Sequence, residues 1–499
     1  MILLFEGESG MHFLSTRNEN CRVTSAQAIV QGLSEEGGLF VPCEFPNVNL
    51  EQVCKQSCYA AMAAFLMETF LTDYSTDFLM EAASQAYKDS FAGKAAFVQK
   101  VTNQLFALEL WHGPTSAFKD YALQLMPKLL VEGKRILGHN ELTYILVATS
   151  GDTGKAALEG YKNLPGVQIT VFYPYNGTSE IQRLQMATQQ GNNVSVYAVQ
   201  GNFDDVQSSL KQVFKNQSIH RILEEKNVHL SSANSINLGR LIPQIVYYFW
   251  AYKQLVERNE IQIGDEVNFC VPTGNFGDIL AGYYAKQMGL PVHKLICASN
   301  KNNVLTEFFK TGRYNAKREF YKTSSPSMDI LISSNLERLL YHITNDSQKV
   351  INWMAQLSEN GYYEVDGDTL RKIQEVFAAD YADDETTAEQ IRYAFEQEQY
   401  LCDPHTAVAF YVVKKYQMEY KDNAPMVILS TASPFKFSAD VMKALNQPMG
   451  VDEFETMNQL GMHTNSEVPI SLGYLKNLPE RFSNIITVKE IIDIVQNVL

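Results

Sequence analysis

The chain has 499 residues and a formal net charge of −15, with 45% hydrophobic and 19% charged residues. This balance is typical of a globular protein with several domains and large cores. Net negative charge without a Lys/Arg-rich block argues against nucleic acid or an acidic membrane as a partner, because both attract cationic patches.

The seven cysteines are scattered, without a Cys-x-x-Cys pair, and no His cluster has the spacing of a zinc site. We therefore predict reduced thiols, no metal site and a cytoplasmic protein. The first residues lack the basic start and apolar run of a signal peptide, which fits the same location.

The first hundred residues read mainly as helices. Apolar periodicity predicts helices at about 26–32, 57–71 and 76–90, with a short strand after Gly37-Gly38. We predict a helical N-terminal region over residues 1–100.

The stretch Trp111–Gln124 opens with the turn signal Gly113-Pro114 and continues as a helix that contains Lys119 between apolar neighbours. Apolar burial lowers the pKa of a lysine and yields a neutral, nucleophilic amine. Lys119 is a candidate for a Schiff base with a carbonyl cofactor. An ordinary lysine in the first turn of a surface helix explains this stretch alone equally well.

From residue 142 strands alternate with helices, which predicts parallel sheets covered by helices. We predict a smaller α/β domain at 101–225 and a larger α/β domain at 226–499, with helices dominating 303–416. Ligands of such sheets bind at the carboxyl ends of the strands. The predicted strands are 142–148, 167–173, 194–199, 228–231, 266–271, 294–299 and 426–429.

Three loops follow predicted strands and carry glycines or small polar residues. In Gly274-Asn275-Phe276-Gly277-Asp278, converging N–H groups and a helix start would make an anion cradle suited to phosphate. A purely steric strand-to-helix turn is the alternative interpretation.

The second loop, Thr149–Lys155, fails the nucleotide-binding P-loop pattern, because Thr149 stands for the first Gly and Ala156 for the Ser/Thr. Its hydroxyls and helix start still suit a carboxylate or phosphate. Helix capping by Asp152 or Thr153 is the alternative.

The third loop, Ser231–Arg240, ends in an arginine that could bind phosphate through two parallel hydrogen bonds. The alternative is capping by Asn234 or Asn237 with Arg240 in solvent. Thr431 follows the late strand, where its hydroxyl could face the same cleft. Asp403-Pro404-His405-Thr406 fits a helix start, and a structural His405 is favoured over a site residue.

Taken together, these motifs resemble the threonine synthase family. The similarity rests on His112–Asp120, Ser150–Gly154, Asn234–Arg240, Gly274–Asp278 and Thr431, in order, and covers nearly the whole chain from about residue 11. Further matches are Ser15-Thr16-Arg17, Gly37–Pro42 and Pro326–Ile330, while Ser116 and Ser433–Lys436 depart locally from the family pattern.

The resemblance implies an α/β protein of pyridoxal-phosphate-dependent fold type II, similar to the tryptophan synthase β subunit. It would have two parallel-sheet α/β domains and the helical N-terminal region. Lys119 would be the catalytic residue and hold pyridoxal 5′-phosphate covalently. The other implied cofactor-binding residues are Asp152 at the 3′-oxygen, Thr431 beside the pyridine nitrogen, and Gly274, Asn275, Phe276, Gly277 and Asp278 at the phosphate.

The resemblance also implies a carbon–oxygen lyase that converts O-phospho-L-homoserine and water to L-threonine and phosphate, the last step of threonine biosynthesis. The substrate carboxylate would lie on Thr149, Ser150 and Thr153, and its phosphate on Asn234, Ser235 and Arg240, with Lys155 nearby. The longer branch of the family suggests a monomer, and a dimer stays open.

Two rivals remain from the sequence. A threonine or serine dehydratase or a sulfhydrylase shares the lysine and the glycine loop but needs no second phosphate site. A non-catalytic relative that binds phosphorylated ligands would usually lack the lysine, and Lys119 is present.

Overall fold

The computed structural model describes residues 10–149 and 151–497. A six-stranded sheet lies at its centre, and its neighbouring strands are parallel except for one antiparallel edge pair. The central strands are buried at every residue, as expected of a sheet covered on both faces. The strand order is Phe377–Tyr381, Val292–Ser299, Val267–Pro272, Met426–Ser430, Leu105–Glu109 and Phe97–Lys100.

A second, five-stranded sheet is parallel throughout. Separate apolar clusters cover its two faces. The strand order is Ile485–Thr487, Val194–Gln200, Val167–Pro174, Leu142–Ala148 and Val228–Ser231.

The prediction of two parallel α/β units is confirmed, but the sheets do not follow the predicted ranges. Leu105–Glu109 lies in the six-stranded sheet, whereas Val228–Ser231 and Ile485–Thr487 lie in the five-stranded sheet. An apolar run shows that a strand is buried, yet the choice of its neighbour depends on contacts between distant parts of the chain. The edge strand Phe377–Tyr381, inside the predicted helical range 303–416, was missed because five residues cannot distinguish the two periods.

The N-terminal region contains the predicted helices and an antiparallel sheet, of which only the strand Phe40–Pro42 was predicted. Its strands are short, two of them only three residues long. The strands are Asn18–Val23, Phe13–Ser15 and Phe40–Pro42, and the helices are Ser25–Gln31, Leu50–Cys54, Tyr59–Glu68 and Thr76–Tyr87.

The longest helix, Leu238–Glu257, has 20 residues and is buried on nearly every side. It packs against the N-terminal helices and the helix that follows the glycine loop, and so joins the N-terminal region to the large core. In the ranges that the structure describes, no helix is both long and apolar enough to cross a membrane.

The remaining elements cover the two sheets or extend the C-terminal end. A ribbon pairs Arg313–Asn315 with Tyr362–Glu364. The other helices and 3-10 turns are Lys119–Leu123, Met126–Leu137, Asp152–Tyr161, Glu180–Ala187, Phe203–Lys215, Gln217–Glu225, Gly277–Gln287, Val304–Thr311, Pro326–Met328, Leu336–Thr344, Ser347–Asn360, Gly367–Val376, Asp384–Glu398, Pro404–Tyr420, Pro434–Phe437, Ser438–Ala444, Glu453–Thr464, Ile470–Gly473, Tyr474–Asn477 and Glu490–Asn497.

Candidate active site

Lys119 begins a short helix at the carboxyl end of the six-stranded sheet. The loop before it is tied to the loop after the neighbouring strand, because Phe118 N–H donates to the Thr431 carbonyl over 2.9 Å and Ala117 bridges Ala432. This pairing brings Thr431, which is buried, beside the start of the lysine helix. The predicted neighbourhood of Lys119 and Thr431 is therefore present.

The Lys119 side chain is buried, which excludes the interpretation as a surface lysine. Its Nζ donates to Ser327 Oγ over 3.2 Å and lies 3.7 Å from Asp152 Oδ2. Burial lowers the pKa of Lys119, Asp152 opposes that effect, and the cations Lys436 and Arg240 add to it. The net lowering favours the neutral amine that a Schiff base requires.

Asp120, the next residue, stabilises the loop that carries the lysine. Its carboxylate accepts hydrogen bonds from the Thr115 N–H (2.8 Å) and Thr115 Oγ1 (2.7 Å). A Cβ at Gly113 would lie 2.5 Å from Asp120 Oδ2, so this close turn requires glycine. Burial raises the pKa of Asp120 to about 7.

Asp152 is the carboxylate nearest to Lys119. Lys436 Nζ lies 2.6 Å from its Oδ1, and Gln182 Nε2 donates to the same oxygen over 2.9 Å. Burial opposes the charge, but the Lys436 and Lys119 ammonium groups outweigh it and hold the pKa of Asp152 below its usual range. Asp152 thus lies between two lysine ammonium groups, Lys119 and Lys436.

The glycine loop joins the strand Val267–Pro272 to the helix Gly277–Gln287. A Cβ at Gly274 would lie 2.5 Å from the Ser327 carbonyl oxygen, so only glycine lets the two turns approach this closely. Phe276 adopts a left-handed conformation with φ of 66°, a costly backbone for a bulky residue and one that is common at functional sites.

The Asp278 carboxyl does not line the loop. It accepts hydrogen bonds from Tyr247 (2.5 Å) and Tyr248 (3.2 Å), and burial raises its pKa to about 7. Its side chain therefore supports the helix start from the core side. For a phosphate, only the Asp278 backbone N–H remains as a predicted contact.

The loop at 149–155 begins with a residue that caps the following helix. Thr149 Oγ1 accepts from the N–H groups of Gly151 (3.0 Å) and Gly154 (2.9 Å), so Thr149 rather than Asp152 or Thr153 caps the helix. Thr149 keeps its hydroxyl proton for a ligand carboxylate. Thr153 is half-buried, and Ser150 lies outside the described residues.

Lys155 is already engaged by the protein. Its Nζ lies 3.1 Å from Glu159 Oε2 and 2.5 Å from Gln189 Oε1. Burial lowers the pKa of Lys155, and Glu159 opposes the effect. Because this ammonium group has a counter-ion, its predicted role toward a substrate phosphate is weaker than that of Arg240.

Arg240 lies buried at the start of the helix Leu238–Glu257, not in solvent as the capping alternative required. Its Nη1 donates to the Ala233 carbonyl over 3.0 Å, but within the described part of the chain its Nε has no partner. Burial lowers the pKa of Arg240 to about 10. A buried guanidinium with a free N–H is unusual, because an unmet buried donor costs about 1–3 kcal/mol.

Arg338 provides a contrast, since it is also buried but has all its nitrogens engaged. Nε, Nη1 and Nη2 donate to the Phe40 carbonyl, Asn335 Oδ1 and the Ile236 carbonyl over 2.9, 2.5 and 2.5 Å. Arg338 is thus a structural cation, whereas Arg240 has a donor available for an external anion.

Around Arg240, Asn234 is exposed and Ser235 is half-buried, with Ser235 Oγ 3.3 Å from Ser334 Oγ. Asn237, not Asn234, caps the helix, since its Oδ1 accepts from the Gly239 N–H over 2.8 Å. Asn234 and Ser235 therefore keep polar groups that a substrate could use.

Asn335, which was not predicted, links the two anion loops, Gly274–Asp278 and Asn234–Arg240. Its Nδ2 donates to the Ser235 carbonyl (3.2 Å) and to the Asn275 carbonyl (3.0 Å). One side chain thus sets the spacing between the glycine loop and the Arg240 loop. No motif in the sequence marks this residue.

Ser327 was also missed, although its turn belongs to the motif Pro326–Ile330. Its N–H donates to His405 Nε2 over 3.1 Å, and His405 Nδ1 lies 2.6 Å from Asp403 Oδ2. Since Nε2 accepts, the ring proton lies on Nδ1 and is donated to Asp403. The predicted helix start at Asp403 is present, and His405 acts on the site only through Ser327.

Lys436 is a further residue that the sequence reasoning missed, and the only signal for it was a lone lysine shortly after Thr431.

The described residues contain no cluster of His, Cys, Asp and Glu suited to a metal. The site therefore consists of a buried lysine with a carboxylate, a glycine cradle, and a buried arginine at a second anion position. These features fit pyridoxal phosphate: Lys119 for the aldehyde carbon and the Gly274 loop for the phosphate.

The comparisons with known proteins agree with this geometry. The family described as pyridoxal-phosphate dependent enzyme matches residues 94–432, and the chain belongs to that class. Two further models, threonine synthase N terminus and threonine synthase C-terminal, match residues 12–87 and 406–497.

Within this class, the chain belongs to the threonine synthase family. It is 38% identical over 440 residues to threonine synthase from Pseudomonas aeruginosa, covering 87% of this chain and 90% of that one. The crystal structure of threonine synthase with bound pyridoxal phosphate from Brucella melitensis superposes with a TM-score of 0.86 at 33% identity, covering 98% and 99%. The expected family, fold class and cofactor are thereby confirmed.

The chain is also 39% identical over 455 residues to human threonine synthase-like 1, covering 87% of this chain. It spans only 60% of the length of that relative. Family membership alone therefore leaves the reaction of this chain to be argued from its site.

Proposed function

We propose that this protein is a threonine synthase, which converts O-phospho-L-homoserine and water to L-threonine and inorganic phosphate. The observation that carries the proposal is buried Arg240, whose Nε has no partner among the described residues and whose loop is tied to the glycine loop Gly274–Asp278 through Asn335. The phosphate of a phosphorylated substrate needs an anion site in addition to the one for the cofactor phosphate. Arg240 supplies that second site.

Each group of residues would have a distinct task. Lys119 would hold the cofactor at rest, with Gly274–Asp278 at its phosphate, Asp152 at its 3′-oxygen and Thr431 at its ring nitrogen. When bound, pyridoxal phosphate supplies an electron sink for the carbanion at the substrate α carbon. Thr149, Ser150 and Thr153 would bind the substrate carboxylate.

Lys119 Nζ would carry the protons. As a neutral amine it would take the proton from the α carbon, release it again, and then take the proton from the β carbon, with Ser327 Oγ near enough to orient it. Arg240, with Asn234 and Ser235, would stabilise the charge that develops as the γ carbon–oxygen bond breaks. The γ carbon then gains a proton, and water adds at the β carbon to give threonine.

A second candidate is an elimination in which phosphate leaves but no water adds at the β carbon, since the same residues would serve both reactions up to the loss of phosphate. The product of that elimination would tautomerise to an imine, and water would hydrolyse the imine to 2-oxobutyrate and ammonia. A dehydratase or sulfhydrylase is less favoured, because neither substrate needs the Arg240 site.

One assay separates these activities. The purified protein with pyridoxal phosphate is given O-phospho-L-homoserine, and phosphate, threonine and 2-oxobutyrate are measured together. The proposal predicts equal amounts of phosphate and threonine. Phosphate with 2-oxobutyrate would support the second candidate, and 2-oxobutyrate from added threonine without phosphate dependence would support a dehydratase.

The cytoplasmic location and the monomeric state stay predictions. Light scattering of the purified protein tests the second, with a mass near 56.4 kDa expected for a monomer.

A further inference from the structure

Lys436 is a fully buried lysine that no part of the proposed reaction uses. It lies in the turn Pro434–Phe437, shortly after the strand Met426–Ser430 of the six-stranded sheet. Its Nζ lies 2.6 Å from Asp152 Oδ1 and donates to the Thr115 carbonyl over 3.0 Å. Lys436 therefore joins Asp152, which follows a strand of the other sheet, to the loop that precedes Lys119.

Two lysines share one carboxylate at this point. Lys436 lies 2.6 Å from Asp152 Oδ1, whereas Lys119 lies 3.7 Å from Oδ2. Lys436 holds the shorter contact and is 0% exposed, so it is the principal counter-ion of Asp152. Lys119 has the longer contact with Asp152, a hydrogen bond to the neutral Ser327 hydroxyl, and the face of the Phe118 ring 4.7 Å from its Nζ.

Three further charged groups lie near the two lysines, but none of them replaces Asp152 as a counter-ion. Arg240 and Asp278, each on its own helix, interact electrostatically with Lys119, and Asp120 interacts electrostatically with Lys436. Asp278 is bonded to two tyrosines and Asp120 to Thr115, so neither forms an ion pair with either lysine among the described residues. Asp152 is thus the carboxylate that decides which lysine is neutral.

We propose that Lys436 is a positioning residue that pairs with Asp152, keeps it ionised, and so prevents it from becoming a tight counter-ion of Lys119. The importance of this role for catalysis rests on the proposed function, because the reaction needs Lys119 as a neutral amine. The ion-pair arrangement itself is independent of the proposed function. Burial and the second cation both lower the pKa of Lys119, in the direction that this arrangement requires.

The role predicts opposite effects of the two partners on Lys119. Lys436→Met leaves Asp152 to Lys119 alone, and the pKa of Lys119 should rise by about one pH unit, since a close opposite charge shifts a pKa by about 1–3. Asp152→Asn removes the carboxylate, and the pKa of Lys119 should fall. If Lys436 served only to pack the turn, Lys436→Met would not raise the pKa of Lys119.

The experiment uses the protein stripped of cofactor, so that neither substrate nor activity enters the readout. Acetic anhydride reacts with neutral amines, and peptide mass spectrometry gives the acetylation rate of Lys119 across the neutral and alkaline range. With Lys436→Met, acetylation at neutral pH should be about tenfold slower, which corresponds to one pH unit. Lys436→Arg keeps the cation and should resemble the wild type.

Lys253→Met is a matched control, because it removes a buried lysine paired with Glu257, away from the site. It should leave the Lys119 profile unchanged. If Lys436→Met does not fold, Asp152→Asn is compared with the double variant Asp152→Asn/Lys436→Met, which removes both members of the Lys436–Asp152 ion pair. The pKa of Lys119 should then be higher in the double variant.

An unchanged or lower pKa of Lys119 after loss of Lys436, in either background, would overturn the proposal. Failure of the threonine assay together with the expected acetylation profiles would instead refute the proposed function and leave the role of Lys436 standing.

Discussion

The two anion loops are built from similar residues but differ in what they leave free. In Gly274–Asp278, Asp278 Oδ1 accepts from two tyrosines, Asn275 Oδ1 accepts from Ser334 Oγ, and the Asn275 backbone carbonyl accepts from Asn335. In Asn234–Arg240 the buried arginine has an Nε without a hydrogen-bond partner in the part of the chain that the structure describes. The first loop offers mainly backbone N–H groups, and the second offers a charged side chain.

This difference explains how one fold could serve several reactions. A cradle of backbone groups suits the phosphate of a cofactor that stays bound. A buried guanidinium suits a phosphate group whose charge increases as it leaves. The glycine loop would then fix the cofactor, and the Arg240 loop would select the reaction.

The largest expected effect comes from the residue that both loops serve. Lys119→Ala should lower turnover of O-phospho-L-homoserine more than about 1,000-fold, because it removes both the covalent anchor and the proton carrier. Borohydride should then attach no cofactor at position 119. Lys253→Ala is the matched lysine control, and substantial turnover by the Lys119 variant would refute the assignment.

Arg240→Met should lower kcat/KM for O-phospho-L-homoserine by about 100- to 1,000-fold, the effect of removing one transition-state donor. Arg240→Lys keeps the charge but loses the planar fork, and should recover only part of the loss. Steady-state kinetics measures both. An unchanged kcat/KM for Arg240→Met would mean that the second loop does not bind the substrate phosphate.

Stability should change in the opposite sense at the two buried arginines. Arg240→Met removes a charge without a carboxylate partner, so its Tm should be unchanged or higher. Arg338→Met breaks three hydrogen bonds to buried acceptors and should lower the Tm. Thermal unfolding of the cofactor-free proteins compares them, and a large loss for Arg240→Met would mark it as structural.

Gly274→Ala tests the first loop. Its new Cβ would lie 2.5 Å from the Ser327 carbonyl oxygen, so a backbone segment must move. We expect a cofactor Kd about tenfold higher, from strain of about 1–3 kcal/mol. Gly277→Ala is the control in the same loop, because its Cβ would meet nothing closer than 3.5 Å. Equal Kd values for the two variants would argue against a tight cradle at Gly274.

The smallest effect on catalysis should come from Asp278→Asn, since the carboxyl faces the core. In the folded protein the pKa of Asp278 is raised to about 7, above its usual value of 3.8. A raised pKa stabilises the fold at low pH, and that stability is lost as the pH rises from about 4 to about 7, by at most about 4 kcal/mol.

Asp278→Asn should therefore flatten the dependence of the unfolding free energy on pH over that window. Urea unfolding at several pH values measures the slope. A cofactor affinity that falls as far as in Gly274→Ala would instead assign the Asp278 side chain to the phosphate.

The sequence predicted the parts of the site that follow strands and carry turn chemistry. Lys119, the glycine loop and Arg240 all lie where parallel strands end, so topology brings them together. Lys436, Asn335 and Ser327 could not be predicted in these roles. Their contacts join segments far apart in the chain, and no spacing rule encodes which buried lysine faces which carboxylate.

The fold shows the same division. The central strands Val267–Pro272 and Met426–Ser430 were predicted because they are continuous apolar runs, whereas neither the strand Leu105–Glu109 nor its place in the six-stranded sheet was predicted. Sheet membership depends on which neighbour completes the core, and that depends on the whole chain.

The central claim is that the two loops bind two different phosphates, and ³¹P NMR of the protein loaded with pyridoxal phosphate tests it directly. With added inorganic phosphate, the wild type should show the cofactor resonance and a second, bound phosphate signal. Arg240→Met should keep the first signal and lose the second. A variant that lost the cofactor signal, or kept the bound inorganic phosphate, would contradict the assignment of the two loops.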